Sequence, residues 1–354
     1  MKRFTGFPAE RLEAALARFP QARVAVVGDF FLDKYLEVDP ALEETSLETG
    51  KPAHQVVQVR HSPGAAGTVV GNLVALEAGE VIPVGFVGDD GEGYELRQGL
   101  SGLGCPLHHM HISDRLRTPT YLKPRDLTDP TLAGEHPRYD LKNRVGIPGD
   151  LEEKIIESLV SLVTAGIDAV IVADQIEEPF HGVITPRVRE KLGELAQANP
   201  RTIFWADSRR YIREFRKVII KPNSREAFGS GLSADPKRDE GSRLGEGVSK
   251  LRALTSAPVV VTCGEWGMIV SDPEPTWIPA VKLTGPVDPT GAGDSATAGA
   301  VLSLVSGLSL PEAALVGNLV ASITVQQLAT TGTASRHQLP ERLRLWQNQQ
   351  QSRE

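Results

Sequence analysis

The chain has 354 residues, 40% of them apolar, with 34 glycines, 25 prolines and 2 cysteines. That length can bury a large core, and the composition suits a loop-rich α/β protein rather than a fibrous or disordered one. A formal net charge of −7 argues against a nucleic-acid surface, which needs a basic face, but not against a nucleotide held at one local site.

Cys105 and Cys263 match no metal or redox spacing, no window is long and apolar enough to span a membrane, and residues 1–19 lack a signal-peptide core. A reduced, cytoplasmic setting is therefore expected. Residues 8–19 place Leu12, Ala15, Leu16 and Phe19 on one stripe and predict an amphipathic helix. The all-apolar run 24–27 predicts a strand buried on both faces of a parallel sheet. It ends at Gly28-Asp29 and is followed by Asp33, and carboxylates just past a central strand stand where open α/β sheets bind ligands. The alternative for Asp29 is a turn cap.

Residues 34–62 interrupt this rhythm with acidic, turn-rich sequence and an alternating segment at 55–60, and residues 118–145 interrupt it again. Both predict a small β cover inserted into the main sheet, useful where a reaction must be shielded from water. Between them, residues 81–87 predict a strand and Gly88-Asp89-Asp90-Gly91 the start of a helix. His108, His109 and His111 offer two histidines on one strand face with none opposite, too few for a metal site.

From residue 150 the pattern is regular: helix 151–165, strand 169–172 ending at Asp174, a helix near Pro186, strand 202–205 ending at Asp207-Ser208-Arg209, and strand 218–220 ending at Lys221-Pro222-Asn223. Successive strands that deliver polar residues at their C-terminal ends indicate a shared cleft. Asn223 and Glu226 also have capping-box spacing. Residues 229–246 read as a surface loop, a helix runs to 254, and residues 259–262 form a strand leading into Gly264 and Gly267, glycines that let a backbone approach a ligand or simply make a turn. Ser309 caps an apolar helix to 328 that contains Asn318, and a polar helix without chemistry follows from 338.

The densest stretch is 287–299, Val-Asp-Pro-Thr-Gly-Ala-Gly-Asp-Ser-Ala-Thr-Ala-Gly, followed by an apolar run. A helix entered through Gly291-Ala292-Gly293 aims unpaired N–H groups and its positive dipole end at one point, an anion hole. Asp294 there would repel phosphate as a ligand, but it makes sense as a base that takes a hydroxyl proton while the backbone holds a migrating phosphoryl group. A tight turn with a first-turn acid is the plain alternative. No P-loop and no protein-kinase glycine loop occurs.

Asp-Pro-Thr-Gly-Ala-Gly-Asp-Ser resembles the C-terminal signature of the ribokinase (phosphofructokinase-B, PfkB) family of sugar kinases, and the order of motifs from Gly28 to Gly332 is similar to that family throughout. Gly-Asp-x-x-x-Asp-x-Tyr at residue 28 looks closest to bacterial heptose 7-phosphate kinases, although the chain ends without the nucleotidyltransferase domain that some of those carry. The resemblance implies a ribokinase-like doubly wound, mostly parallel sheet in one domain, 1–354, with the β cover as substrate lid and a homodimer through it. It implies ATP-dependent phosphorylation of a sugar or sugar phosphate, with no nucleic-acid or membrane partner. Asp294 is then the base, and Gly291, Ala292 and Gly293 form the anion hole. Asp29, Asp33, Gly64, Ala65, Thr68 and Asp174 take the substrate, and Asn223, Arg209, Thr262, Gly264, Gly267 and Asn318 take the nucleotide. Glu226 orients the waters of Mg²⁺, and Asp288 with the loop 331–333 marks a monovalent-cation (K⁺) site. Ala65 and Thr68 depart from the usual glycine and asparagine of the N-terminal signature. A non-catalytic sugar- or nucleotide-binding descendant and a nucleoside kinase are the competing readings.

Overall fold

The structure is a computed structural model that describes residues 1–129, 134–229, 238–328 and 330–351, with side chains omitted at 238–242. Its centre is a six-stranded sheet in the order Ile219–Ile220, Ile203–Ser208, Ala169–Asp174, Arg23–Gly28, Glu80–Gly88, Met110–Ser113. All of these pairs are parallel. The apolar runs form central strands because helices cover both faces. Val24 and Val26 enter one core with Ala169 and Ile171, while Ala25 and Val27 enter the other with Val170 and Val172. Ala292–Val305, Leu310–Thr324 and Ala66–Ala75 pack on the first face; Gly149–Thr164, Pro186–Ala198 and Arg238–Thr255 pack on the second. After Arg23–Gly28 the chain first builds Glu80–Gly88 on one side and then Ala169–Asp174 on the other, which makes a switch point at the C-terminal end of the central strand.

Beyond Ile219–Ile220 the bridges Ile220↔Val259 and Asn223↔Thr262 join a four-stranded sheet of Val260–Thr262, Gly267–Val270, Thr276–Pro279 and Lys2–Arg3. The helix Leu339–Gln351 is less decorative than its polar sequence implies. Leu339, Leu343 and Trp346 are buried, and Trp346 Nε1 donates to Pro279 O at 2.8 Å. Of the segment read as a loop at 229–246, residues 230–237 lie outside the described ones, and a helix is already present from Arg238.

The cover is a four-stranded sheet in the order Tyr139–Leu141, Thr120–Asp126, Phe30–Val38, Val56–Ala65. It begins earlier than the sequence rhythm indicates. Phe30-Phe31-Leu32-Asp33 belongs to a nine-residue strand, not to a loop after the central strand, because it pairs on both sides, with Asp33 opposite Ser62 and Tyr121. The partner strand runs through Ser62-Pro63-Gly64 to Ala65. Its residues 56–61 are exposed on both faces rather than half buried, as befits an edge strand.

Candidate functional site

The helix Ala292–Val305 is buried from Ser295 to Ser303, so its entry is the part that opens on the cleft. Gly291 caps it at φ 74°, ψ 2°, a left-handed conformation that suits glycine. A Cβ at Gly291 would lie 3.4 Å from Thr68 Cγ2 and 3.5 Å from Thr331 Cγ2. The cover-side helix and the last loop therefore both close on this turn. One expected anion-hole member is otherwise engaged: the Ala292 N–H donates to Pro289 O at 3.1 Å. Ser295 N makes the first bond to Gly291 O, at 2.9 Å, so the amides of Gly293 and Asp294 fall ahead of any intrahelical acceptor.

Asp294 is partly buried beside this hole. Burial first, and the charge of Asp207 second, push its carboxyl up to about 7, against the pull of Lys221 and Arg209. Lys221 was given no role from sequence. It follows Ile219–Ile220, is 3% exposed, and places Nζ 2.6 Å from Asp207 Oδ2. Burial works against its charge, but Asp207, Asp294 and Glu226 outweigh it and raise its pKa. Its polar position at a strand end was the available signal. Arg209 is exposed, and its charge reaches Asp294, Glu226 and Tyr121.

Asn223 and Glu226 form the capping box: Asn223 Oδ1 accepts from Glu226 N at 2.9 Å, and Glu226 Oε2 accepts from Asn223 N at 2.8 Å. The capping box engages Asn223 through Oδ1 and Glu226 through Oε2. Burial raises the Glu226 carboxyl. Asp288 Oδ1 accepts from Thr290 N at 3.0 Å, and Asp288 N donates to Val325 O at 2.8 Å, which ties the entry turn to the end of Leu310–Thr324. Thr262 bridges Asn223 through the backbone. Gly264, at φ 55°, is open around its Cα, whereas a Cβ at Gly267 would lie 2.1 Å from Ile278 O. Gly267 is thus required by the hairpin itself. Asn318 is 7% exposed, and its side-chain amide donates to Ile278 O at 3.2 Å.

The carboxylates assigned to substrate separate into two kinds. Asp29 is 2% exposed and accepts from the N–H groups of Gln175 at 2.8 Å, Ile176 at 3.0 Å and Val183 at 2.8 Å. It thereby orders the loop 175–183, the capping alternative that the sequence left open. Burial still raises its pKa against those amides. Asp174 accepts from Ser208 Oγ at 2.6 Å, and burial, followed by the charge of Asp29, raises it to about 7. It is 2% exposed.

Asp33 instead faces a charged partner, with Lys123 Nζ 3.1 Å from Oδ1. A Cβ on Gly64 would lie 2.7 Å from Asp33 Oδ2, so a glycine is needed there. Ala65 holds φ 53°, ψ −114° at the start of Ala66–Ala75, a conformation that costs a non-glycine residue about 1–3 kcal/mol. Thr68 is 7% exposed on the same helix. Next to Asp33, Tyr121 stacks on Phe31 with centroids 4.7 Å apart, and its ring is flanked by Arg138 at 4.2 Å and by Lys123 and Lys142 at 5.9 Å each. Burial raises the Tyr121 hydroxyl's pKa while Arg209 and Arg138 pull it down. The cover thus gathers three cations around Tyr121, whose hydroxyl also feels the charge of Arg209.

Comparison with known proteins fits this geometry. "Bifunctional protein HldE" of Ectopseudomonas mendocina (strain ymp) is 28% identical over 330 residues, 92% of this chain but only 64% of that relative's own length. A ribokinase from Cryptococcus neoformans var. grubii serotype A, solved in complex with ADP, superposes with a TM-score of 0.63 at 21% identity, covering 91% of this chain and 99% of the other. Phosphofructokinase-2 from Escherichia coli, solved in complex with potassium, gives 0.66 at 16% identity, covering 92% and 99%. These structures establish the ribokinase-like fold. Residues 21–336 match the pfkB family carbohydrate kinases, and the chain belongs to that family.

Proposed function

We propose that this kinase transfers the γ-phosphoryl group of ATP to a hydroxyl of a sugar that already carries a phosphate. Asp294 serves as general base, and the helix entry at 291–294 serves as anion hole. The observation that carries the reading is the placement of Asp294: a desolvated carboxyl near 7, one residue from the Gly293 amide, at the start of a buried helix. A base with a pKa near the working pH combines adequate ionisation with adequate proton affinity. The hydroxyl proton passes to Asp294, the oxygen bonds to phosphorus, and the bond to the ADP oxygen breaks while backbone N–H groups stabilise the migrating group.

Lys123, Arg138 and Lys142 around Tyr121 support an acceptor with its own phosphate, since three cations gather there against the two carboxylates of Asp33 and Asp140. Tyr121 already has Phe31 on its ring, which leaves little platform for a nucleoside base. Mg²⁺ bound with ATP would supply charge neutralisation at the phosphates. Glu226 would hold its waters through the oxygen left outside the capping box. Asp288 and the loop at Thr331 would frame a K⁺ site, a reading supported by their convergence on the Gly291 turn. The domain is read as one kinase unit. Its exposed edge strand, with Val57 at 48% and Val59 at 50%, is offered for a homodimer through the cover.

The test is ADP release from Mg-ATP with K⁺ against hexoses, pentoses, their phosphates, heptose phosphates and nucleosides, with Asp294→Asn alongside. Turnover with a sugar phosphate that collapses in Asp294→Asn is the expected result. Preference for an unphosphorylated sugar or a nucleoside would move the acceptor class, and ATP binding without turnover would remove the kinase reading.

A further inference from the structure

Lys221 occupies the site without a task in the scheme above. At 3% exposure its ammonium has lost most of its hydration, and an apolar side chain of similar length would generally be at least as stable there. Three carboxylates, Asp207, Asp294 and Glu226, keep it charged despite burial. Asp207 holds it at 2.6 Å, yet an ammonium has three donors. A Cβ built on Gly293 would lie 3.3 Å from Nζ and 3.9 Å from Asp207 Oδ2. The ammonium therefore borders the residue whose amide lies in the anion hole. Arg209, the cation that sequence reading favoured for phosphates, is exposed.

We infer that Lys221 is a catalytic cation of the phosphoryl-transfer site: its ammonium, held on Asp207, donates to an oxygen of the γ-phosphoryl group lying against Gly293. This rests on the kinase reading. In the step, the bond from γ-phosphorus to the ADP oxygen breaks, the bond to the sugar oxygen forms, and the hydroxyl proton goes to Asp294. Lys221 stays protonated and Asp207 stays ionised throughout. A preorganised charge in a water-poor site acts more strongly than the same charge at the surface.

The test measures binding of Mg-ADP and of Mg²⁺ with the non-hydrolysable ATP analogue AMP-PNP by calorimetry. Wild type, Lys221→Met, Lys221→Arg and the double variant Lys221→Met/Asp207→Asn are compared. Lys221→Met is expected to weaken AMP-PNP by about tenfold or more, the worth of one charge-assisted hydrogen bond, while ADP changes by less than about twofold. Lys221→Arg should recover part of that loss. The double variant removes the ammonium together with the carboxylate 2.6 Å from it, so it carries the test if the single variant fails to fold, and it should stay as weak for AMP-PNP as Lys221→Met. If Lys221 merely partners Asp207, the two nucleotides weaken together, or neither does, or the double variant regains AMP-PNP affinity; each of these overturns the inference. A wild type that binds neither nucleotide overturns the kinase reading and this inference with it.

Discussion

Two groups of carboxylates, one buried and one partly buried, stand at the same edge of the central sheet and meet different fates. Asp29 and Asp174 follow or end adjacent strands and are tied down, one by three backbone amides and the other by Ser208. Asp207, Glu226 and Asp294 gather instead around one ammonium, next to the Gly293 and Asp294 amides that precede the first intrahelical bond, Ser295 N to Gly291 O. Burial raises both Asp174 and Asp294 to about 7. The shift is the same, yet Asp29 and Asp174 accept hydrogen bonds from the protein, while Asp294 stands at the entry of a buried helix beside Lys221. A raised carboxyl marks where the fold desolvates an acid; the hydrogen bonds around it decide whether it is free for a substrate.

Asp294→Asn gives the largest effect. It should lower kcat by about 10³-fold or more, the range for a lost general base, without lowering the melting temperature. A large fall in melting temperature would erase the contrast by making Asp294 structural too. Asp29→Ala should do the reverse. It strands three buried N–H donors and should destabilise the fold by about 3–5 kcal/mol in chemical denaturation. Unchanged stability would mean that Asp29 is available to a ligand after all.

The pH dependence of stability sharpens the comparison further. A carboxyl whose folded pKa is raised binds its proton more tightly in the native state, so its contribution is fully present below the unfolded value near 4 and is lost as pH climbs to the folded value of about 7. Asp174→Asn should therefore flatten the fall in stability between those limits and leave the variant about 1–3 kcal/mol ahead of wild type at pH 8. A parallel profile would show that Asp174 is not desolvated in solution. In activity, the acid limb of kcat/KM should sit near 7, because the free enzyme's Asp294 must be ionised to act.

Ala65 joins the two groups. Its successor's N–H, on Ala66, donates to Asp29 O at 3.0 Å, and Thr68 on the same helix abuts Gly291. Ala65→Gly should stabilise the protein by about 1 kcal/mol through relief of the positive φ, offset in part by a looser unfolded chain. No gain in melting temperature would count against strain at this hinge.

Much of this was legible because short-range patterns suffice for it. The apolar run at 24–27 and its counterparts at 169–172 and 202–205 had to be buried parallel strands, and Gly291-Ala292-Gly293-Asp294 ahead of an apolar run announced a glycine-capped helix entry with an acid in its first turn. The spacing of Asn223 and Glu226 likewise specified the capping box that formed. These features depend on backbone preference, periodicity and the orphan amides of a helix start, all written within a few residues. The tertiary structure alone decided what long-range contacts govern. It recruited Phe30–Val38 into the cover, because pairing on both sides outweighs a local turn reading, and it turned Asp29 inward onto amides some 150 positions away in the chain. It also buried Lys221 near Asp207, Glu226 and Asp294, which brings together the stretches around 207, 221–226 and 294. Which lone pairs remain free, and which charges share one low-dielectric space, depend on distances that no sequence interval encodes.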